Sequence, residues 1–190
     1  LIEIQTTPKL YRIRSKEGKP VRFTGPVILD QYTDYEIEGF VFSSTINCEH
    51  GHLYLKDVAA PKVVAQHHDQ FVPVLAAKNC LFRDATAATG LMRMEYCTVL
   101  RKVICEWLEA SDCIFLGKVQ KDHPTESPPQ DGCVRFSRLP ALALGNVSVF
   151  HCTTDNPIFF SDHFGDYGCA VLHPASQDSI RHGAEDRGEM

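Results

Sequence analysis

The sequence predicts a mainly β fold, a right-handed parallel β-helix with capping terminal segments. Three observations lead there. First, short β-rich runs such as "VRFTGPVIL", "EIEGFVFSST", "HLYLKDV", "CIFLGKV" and "VSVFHC" dominate, separated by Gly, Pro, Asn, Asp or brief polar steps. Second, a polar residue, a cysteine and then apolar residues recur in "AKNCLF", "MEYCTV", "ASDCIF" and "DGCVRF", with gaps of 17, 16 and 20 residues between the cysteines. Sandwich strands follow one another at about 8–12 residues, so a longer period holding two or three short strands suits β-helix coils. A β-sandwich is the alternative. Third, amphipathic helix is scarce. "PKVVAQHHDQFVPV" predicts one or two turns that Pro73 stops, and Ala175 to Arg181 predicts one more.

Taken in order, residues 1–39 read as an N-terminal cap or lead-in strands, 40–155 as the coils, and 156–190 as a capping or interaction tail. One domain holds all of them, because 190 residues are enough for one sizeable core. In the coils, Cys80, Cys97 and Cys113 are expected to stack as an inward structural ladder. Leu75, Leu91 or Met92, and Trp107 or Leu108 stack on another side. Leu81, Thr98 and Ile114 point outward, and Phe82, Val99 and Phe115 inward. A single rung cannot bury its own face, so stability has to come from stacked neighbours. The polar stretch "KVQKDHPTESPPQDG" lengthens the gap between Cys113 and Cys133.

Eight cysteines make an even count, which suits disulfides. They sit inside apolar stretches rather than in loops, so the reading favours buried free thiols and a reducing, cytoplasmic setting. A net charge of −5 offers no basic footprint for nucleic acid. No apolar run approaches the roughly 20 residues of a membrane-spanning helix, and the first residues lack a signal-peptide pattern. The start at Leu1 and the abrupt polar end lead us to expect a longer protein.

Several clusters offer chemistry. In "CEHGH", alternation would place Cys48, His50 and His52 on one strand face, a donor set suited to zinc, with Asp57, His67, His68 or Asp69 as the fourth ligand. "HHD" at His67 to Asp69 reads first as a surface loop. Asp162, His163, Asp166 and Cys169 hold the makings of a Cys–His nucleophile, but the apolar setting of Cys169 predicts an inert thiol. Phe159, Phe160 and Phe164 read equally as a folded cap and as an aromatic anchor for a partner. Asp84, Glu95, Asp112 and Arg101 lie near the coils, where a carbohydrate-active β-helix would need paired acids and a base, yet they read as solvated charges on turns. There is no phosphate-binding glycine loop and no serine elbow.

The run "CEWLEASDCIFLG", then "GCVRFSRLP", then the tail "DYGCAVLHPASQDSIRHGAEDRGEM" resembles a group of uncharacterised bacterial proteins described as phage-tail-like or associated with contractile injection systems. Leu108 to Phe115, Gly132 to Ser137 and Gly183 to Met190 carry the resemblance, which covers roughly Leu75 to Met190. Arg138 departs from it, standing where that group has an aromatic residue. The resemblance implies a β-helical structural or assembly component without a catalytic motif to carry over. The expected function is therefore a non-catalytic scaffold with no cofactor, whose partners are other protein subunits. The alternative is a carbohydrate-active β-helix lyase or hydrolase.

Overall fold

The computed structural model describes residues 2–7, 10–16, 19–122 and 127–181. The chain winds into a parallel β-solenoid of about 7 turns. In chain order, β1 (Ile2–Thr7) precedes a first coil of β2 (Leu10–Ser15), β3 (Val21–Phe23) and β4 (Val27–Leu29). A second coil holds β5 (Asp34–Glu38), β6 (Phe40–Phe42) and β7 (Thr45–Cys48), and a third β8 (Leu53–Lys56) and β9 (Ala59–Ala65). Then come β10 (Leu75–Lys78), β11 (Leu81–Glu95), β12 (Thr98–Ser111), β13 (Ile114–Phe115), β14 (Lys118–Gln120), β15 (Asp131–Arg135) and β16 (Ser148–Phe150). A single helical turn, α1 (Asp178–Arg181), follows.

Three walls result. Wall A stacks β2, β5, β8, β10, the ends of β11 and β12, β15 and β16. Wall B stacks β3, β6 and the first residues of β9, β11, β12 and β13. Wall C stacks β4, β7, the rest of β9, the middle of β11 and β12, and β14. Alternating side chains explain the burial. In β8, Leu53 and Leu55 are buried and Tyr54 is half-buried, as a strand with one face inward requires. The inward rows are Leu53–Leu75–Met92–Leu108 on wall A, Ala60–Phe82–Val99–Phe115 on wall B, and Val63–Ala85–Val103–Val119 on wall C. Large and small residues therefore meet across neighbouring rungs, filling one continuous core.

The cysteine step occupies the corner between walls A and B. Asp57, Asn79, Tyr96, Asp112, Phe136 and His151 all have φ between 50° and 55°. This left-handed conformation is most accessible to Asn and Asp among side-chain-bearing residues. The first five N–H groups donate to the next coil, as Asn79 does to the Glu95 carbonyl at 2.9 Å and Tyr96 to the Ser111 carbonyl at 3.1 Å. The following residue turns inward. Cys80, Cys97 and Cys113 stack there as expected, and each thiol donates to the carbonyl two residues back, at 3.2, 3.2 and 3.1 Å. Ser137 does the same at 2.7 Å, and its hydroxyl also accepts the Cys113 N–H at 3.0 Å. From Cys80 onward the corner thus holds a small side chain with one donor, whereas Val58 fills it in the coil before. "DGCVRF" is out of phase: Cys133 lies on wall A opposite Glu109 and is half-buried, while Ser137 and then Cys152 continue the ladder.

All eight cysteines are free, five of them buried. Burial pushes the Cys48 thiol up to about 11 and raises those of Cys80, Cys97 and Cys105 as well. A thiol-reactive dye is accordingly expected to label at most Cys133, Cys152 and Cys169 in the native protein, and all eight cysteines in denaturant. Rapid native labelling of more than three sites would contradict the ladder.

Four expectations need adjustment. No helix forms over residues 61–74: β9 pairs with β7 and β11, because Val63 fills the row between Ile46 and Ala85. The coils begin at Leu10 rather than at residue 40, since β2, β3 and β4 already supply all three walls. Of the alternatives for wall A, Met92 and Leu108 point inward. Ile114 faces outward yet is only 5% exposed, and it lines one cleft together with Ala170 and Leu172 of the tail.

Candidate functional site

The "CEHGH" stretch forms the corner from wall C to wall A. Gly51 has φ +76°, and a Cβ there would sit 1.9 Å from the Thr33 carbonyl oxygen of the preceding coil. Only glycine lets the two backbones approach so closely. The corner separates the three residues that strict alternation would have aligned. Cys48 is fully buried, and its thiol donates to the His50 carbonyl at 3.1 Å. His50 stacks on exposed Tyr32, with ring centroids 4.0 Å apart. His52 alone turns toward other ligating groups.

Two elements meet His52. From the coil above, the Asp34 carboxylate lies 2.9 Å from Nδ1 and accepts the His52 backbone N–H at 3.1 Å. From the loop after β9, His67 sets its ring edge-on to His52 at 5.2 Å and 88°. Asp69 of the same loop places Oδ2 3.6 Å from His52 Nε2. Asp69 is itself anchored: Oδ1 accepts the Phe71 and Val72 backbone N–H groups at 2.8 and 2.9 Å, which hold its carboxyl below the usual range. His52, His67 and Asp69 each offer one donor atom within 4.8 Å of the others. Two of the expected fourth ligands thus join His52, whereas Cys48 and His50 do not. His68 turns away, its Nδ1 2.5 Å from the Thr89 carbonyl, and Asp57 accepts from Asn79 Nδ2 at the next corner.

The acids expected of a carbohydrate-active site are paired. Asp84 is 6% exposed and grips Arg101 through two hydrogen bonds of 2.8 and 2.9 Å. Glu95 pairs with Lys78 at 3.0 Å, and Asp112 accepts from Ser111 at its corner. Along the outside of wall A, Arg12 and Arg14 bracket Glu36, Glu38 meets Lys56, and Glu109 meets Arg93. "SDHFGDYGC" folds back on itself, with Ser161 bridged to Cys169, His163 paired with Asp162 and Ser161 donating to Asp166, while burial raises the Cys169 thiol. A raised thiol pKa opposes nucleophilic use.

The three tail phenylalanines divide. Phe159 bridges Leu172, Phe160 packs against His173 and is 60% exposed, and Phe164 lines one cleft with Val41, Ala59 and Leu81 of wall B. The stretch from Phe164 to Leu172 therefore runs along the side of the solenoid, while α1 is tied to the last coil by Ser179 and Asp155. Residues 183–190, which carry part of the resemblance, lie outside the described residues.

Two contributors escaped sequence reasoning. Asp34 was invisible because it contacts His52 only through coil stacking. Arg138 sits nearly buried at wall B and fastens the tail. Its guanidinium donates to the Phe115, Leu116 and Asp155 carbonyls at 2.7, 3.1 and 3.1 Å and to Asn156 Oδ1 at 2.6 Å. Its departure from the resembled pattern was the only signal.

Compared with known proteins, the chain matches no protein-family model, no curated protein and no solved structure. Its function is therefore argued from its own geometry. Among the described residues no helix is long and apolar enough to cross a membrane.

Proposed function

We propose that this protein is a non-catalytic β-helical scaffold that assembles with other protein subunits. One observation carries the reading. β1 forms the edge of the sheet: it pairs with β2 on one side, and among the described residues no strand pairs with its other side. Ile2 and Ile4 are 43% and 64% exposed there. An unpaired strand edge with exposed apolar side chains is a template for another chain. The pairing of Asp84 with Arg101 and of Glu95 with Lys78 supports the same reading, because it ties up two of the acids that a glycosidase on these walls would need. The resemblance to phage-tail-like proteins points to a contractile injection apparatus assembled in a bacterial cytoplasm.

Light scattering across a concentration series, with affinity capture from the host, tests this. We expect self-association or recovery of a sheath, tube or baseplate subunit, and loss of either when Ile4→Lys charges the edge. A strict monomer at high concentration that captures no partner would sink the scaffold reading.

A further inference from the structure

We infer that His52, His67 and Asp69 form a binding site for a first-row divalent transition metal, with zinc the best match, and that Asp34 orients the site from behind. The chemistry of the donors comes first. Two imidazoles and a carboxylate are borderline ligands of the kind that zinc takes in three-residue sites, with the fourth position left to water. A tetrahedral ion at about 2.0–2.1 Å from each donor holds those donors about 3.4 Å apart. His52 Nε2 and Asp69 Oδ2 stand at 3.6 Å, and all three donor atoms lie within 4.8 Å of one another, close to that spacing.

The wiring of each donor comes second. Asp34 accepts a hydrogen bond from His52 Nδ1–H at 2.9 Å, and in that tautomer the lone pair is on Nε2. That nitrogen is buried and has no hydrogen-bond partner. A buried acceptor without a partner is costly, and a metal ion satisfies it. The carboxylate–histidine arrangement is the usual support of a ligating imidazole, since it sets the ring and raises its basicity. Asp69 is wired in the same sense: two backbone N–H groups occupy Oδ1 and leave Oδ2 facing His52. Both supports come from the chain itself, which preorganises the site.

Position comes third. His52 immediately precedes β8 of wall A, whereas His67 and Asp69 belong to residues 66–74, which carry no strand. A shared ion would clip that connection onto the stack. The inference does not rest on the scaffold reading, because the site and β1 involve different residues and different measurements.

The test uses the purified chain, stripped with a chelator and titrated with zinc chloride by calorimetry. Bound metal is counted by elemental analysis, and melting is followed with and without zinc. We expect one equivalent of zinc per chain and a zinc-dependent rise in melting temperature. His67→Ala, on the loop, should abolish both while leaving the far-ultraviolet circular dichroism intact. Asp34→Asn should weaken binding about 10–100-fold, as loss of an outer carboxylate does. Cobalt substituted for zinc should show nitrogen and oxygen ligation without a thiolate charge-transfer band, which separates this site from the eight cysteines. A folded wild-type chain that binds no stoichiometric zinc overturns the inference. So does zinc binding that persists unchanged in His67→Ala.

Discussion

Phe82→Ala is expected to destabilise the protein by about 4 kcal/mol, the usual range for emptying a buried phenylalanine site. Phe82 is fully buried in the middle of the solenoid. Its row runs from Ala60 through Phe82 to Val99, so the small alanine beneath it cannot fill the space it leaves. The backbone has little freedom to collapse, because β11 is hydrogen-bonded to β9 on one side and β12 on the other. Urea unfolding followed by circular dichroism should show a lower midpoint with an unchanged slope. Ile28→Ala provides the contrast. Ile28 is 62% exposed on β4, and its loss should change stability by no more than about 0.5 kcal/mol. Equal effects of the two would mean that the rows described here are not the core.

Gly51→Ala should cost about 3 kcal/mol through a different mechanism. The residue has φ +76°, where a side chain adds about 1–2 kcal/mol of strain. Its new Cβ would also lie 1.9 Å from the Thr33 oxygen and 2.6 Å from the Thr33 carbonyl carbon. Backbone cannot swing aside as a side chain can, so the two coils must separate, adding about 1–3 kcal/mol. Thr33 precedes Asp34, so the same displacement should disturb His52. Gly165→Ala is the control: its φ is +102°, but its added Cβ meets nothing within 4 Å, so only backbone strain remains. The substitution at Gly51 should lower the melting temperature clearly more than the one at Gly165. A reversed order would show that the close approach at Thr33 is not a real constraint.

Much of the architecture was legible because its signals are local. Strand runs, a long period and a polar–cysteine step repeat along the chain, and each reflects a requirement met within one coil. At Asn79–Cys80 and Asp112–Cys113 the first residue accepts a left-handed backbone and the second supplies a small inward donor. Tyr96 and Phe136 take the same conformation without that preference, so the corner pattern is imposed at those places by stacking. Cys133 misled for the same reason. It has the right neighbours, but the loop before β15 shifts the phase, and only pairing with Glu109 reveals that it lies on a wall.

The candidate site was half legible. "CEHGH" and "HHD" contain His52, His67 and Asp69, but alternation grouped His52 with Cys48 and His50. Alternation holds only while a strand continues, and Gly51 ends it. The pairing of Asp84 with Arg101 was similarly hidden, since 17 residues separate them in sequence and one rung separates them in space.

From the sequence alone came the mainly β class, the coil period, the inward Cys80–Cys97–Cys113 ladder and the absence of a basic footprint. These depend on side-chain alternation and backbone preference, which act over a few residues. Only the tertiary structure decided which donors share a site, which acids are neutralised and that the tail follows wall B. Those facts depend on vertical register. Stacking brings together residues about one coil apart, and a shift of one residue turns every inward side chain outward. Asp34 and His52 meet for that reason, as do Arg138 and Asn156.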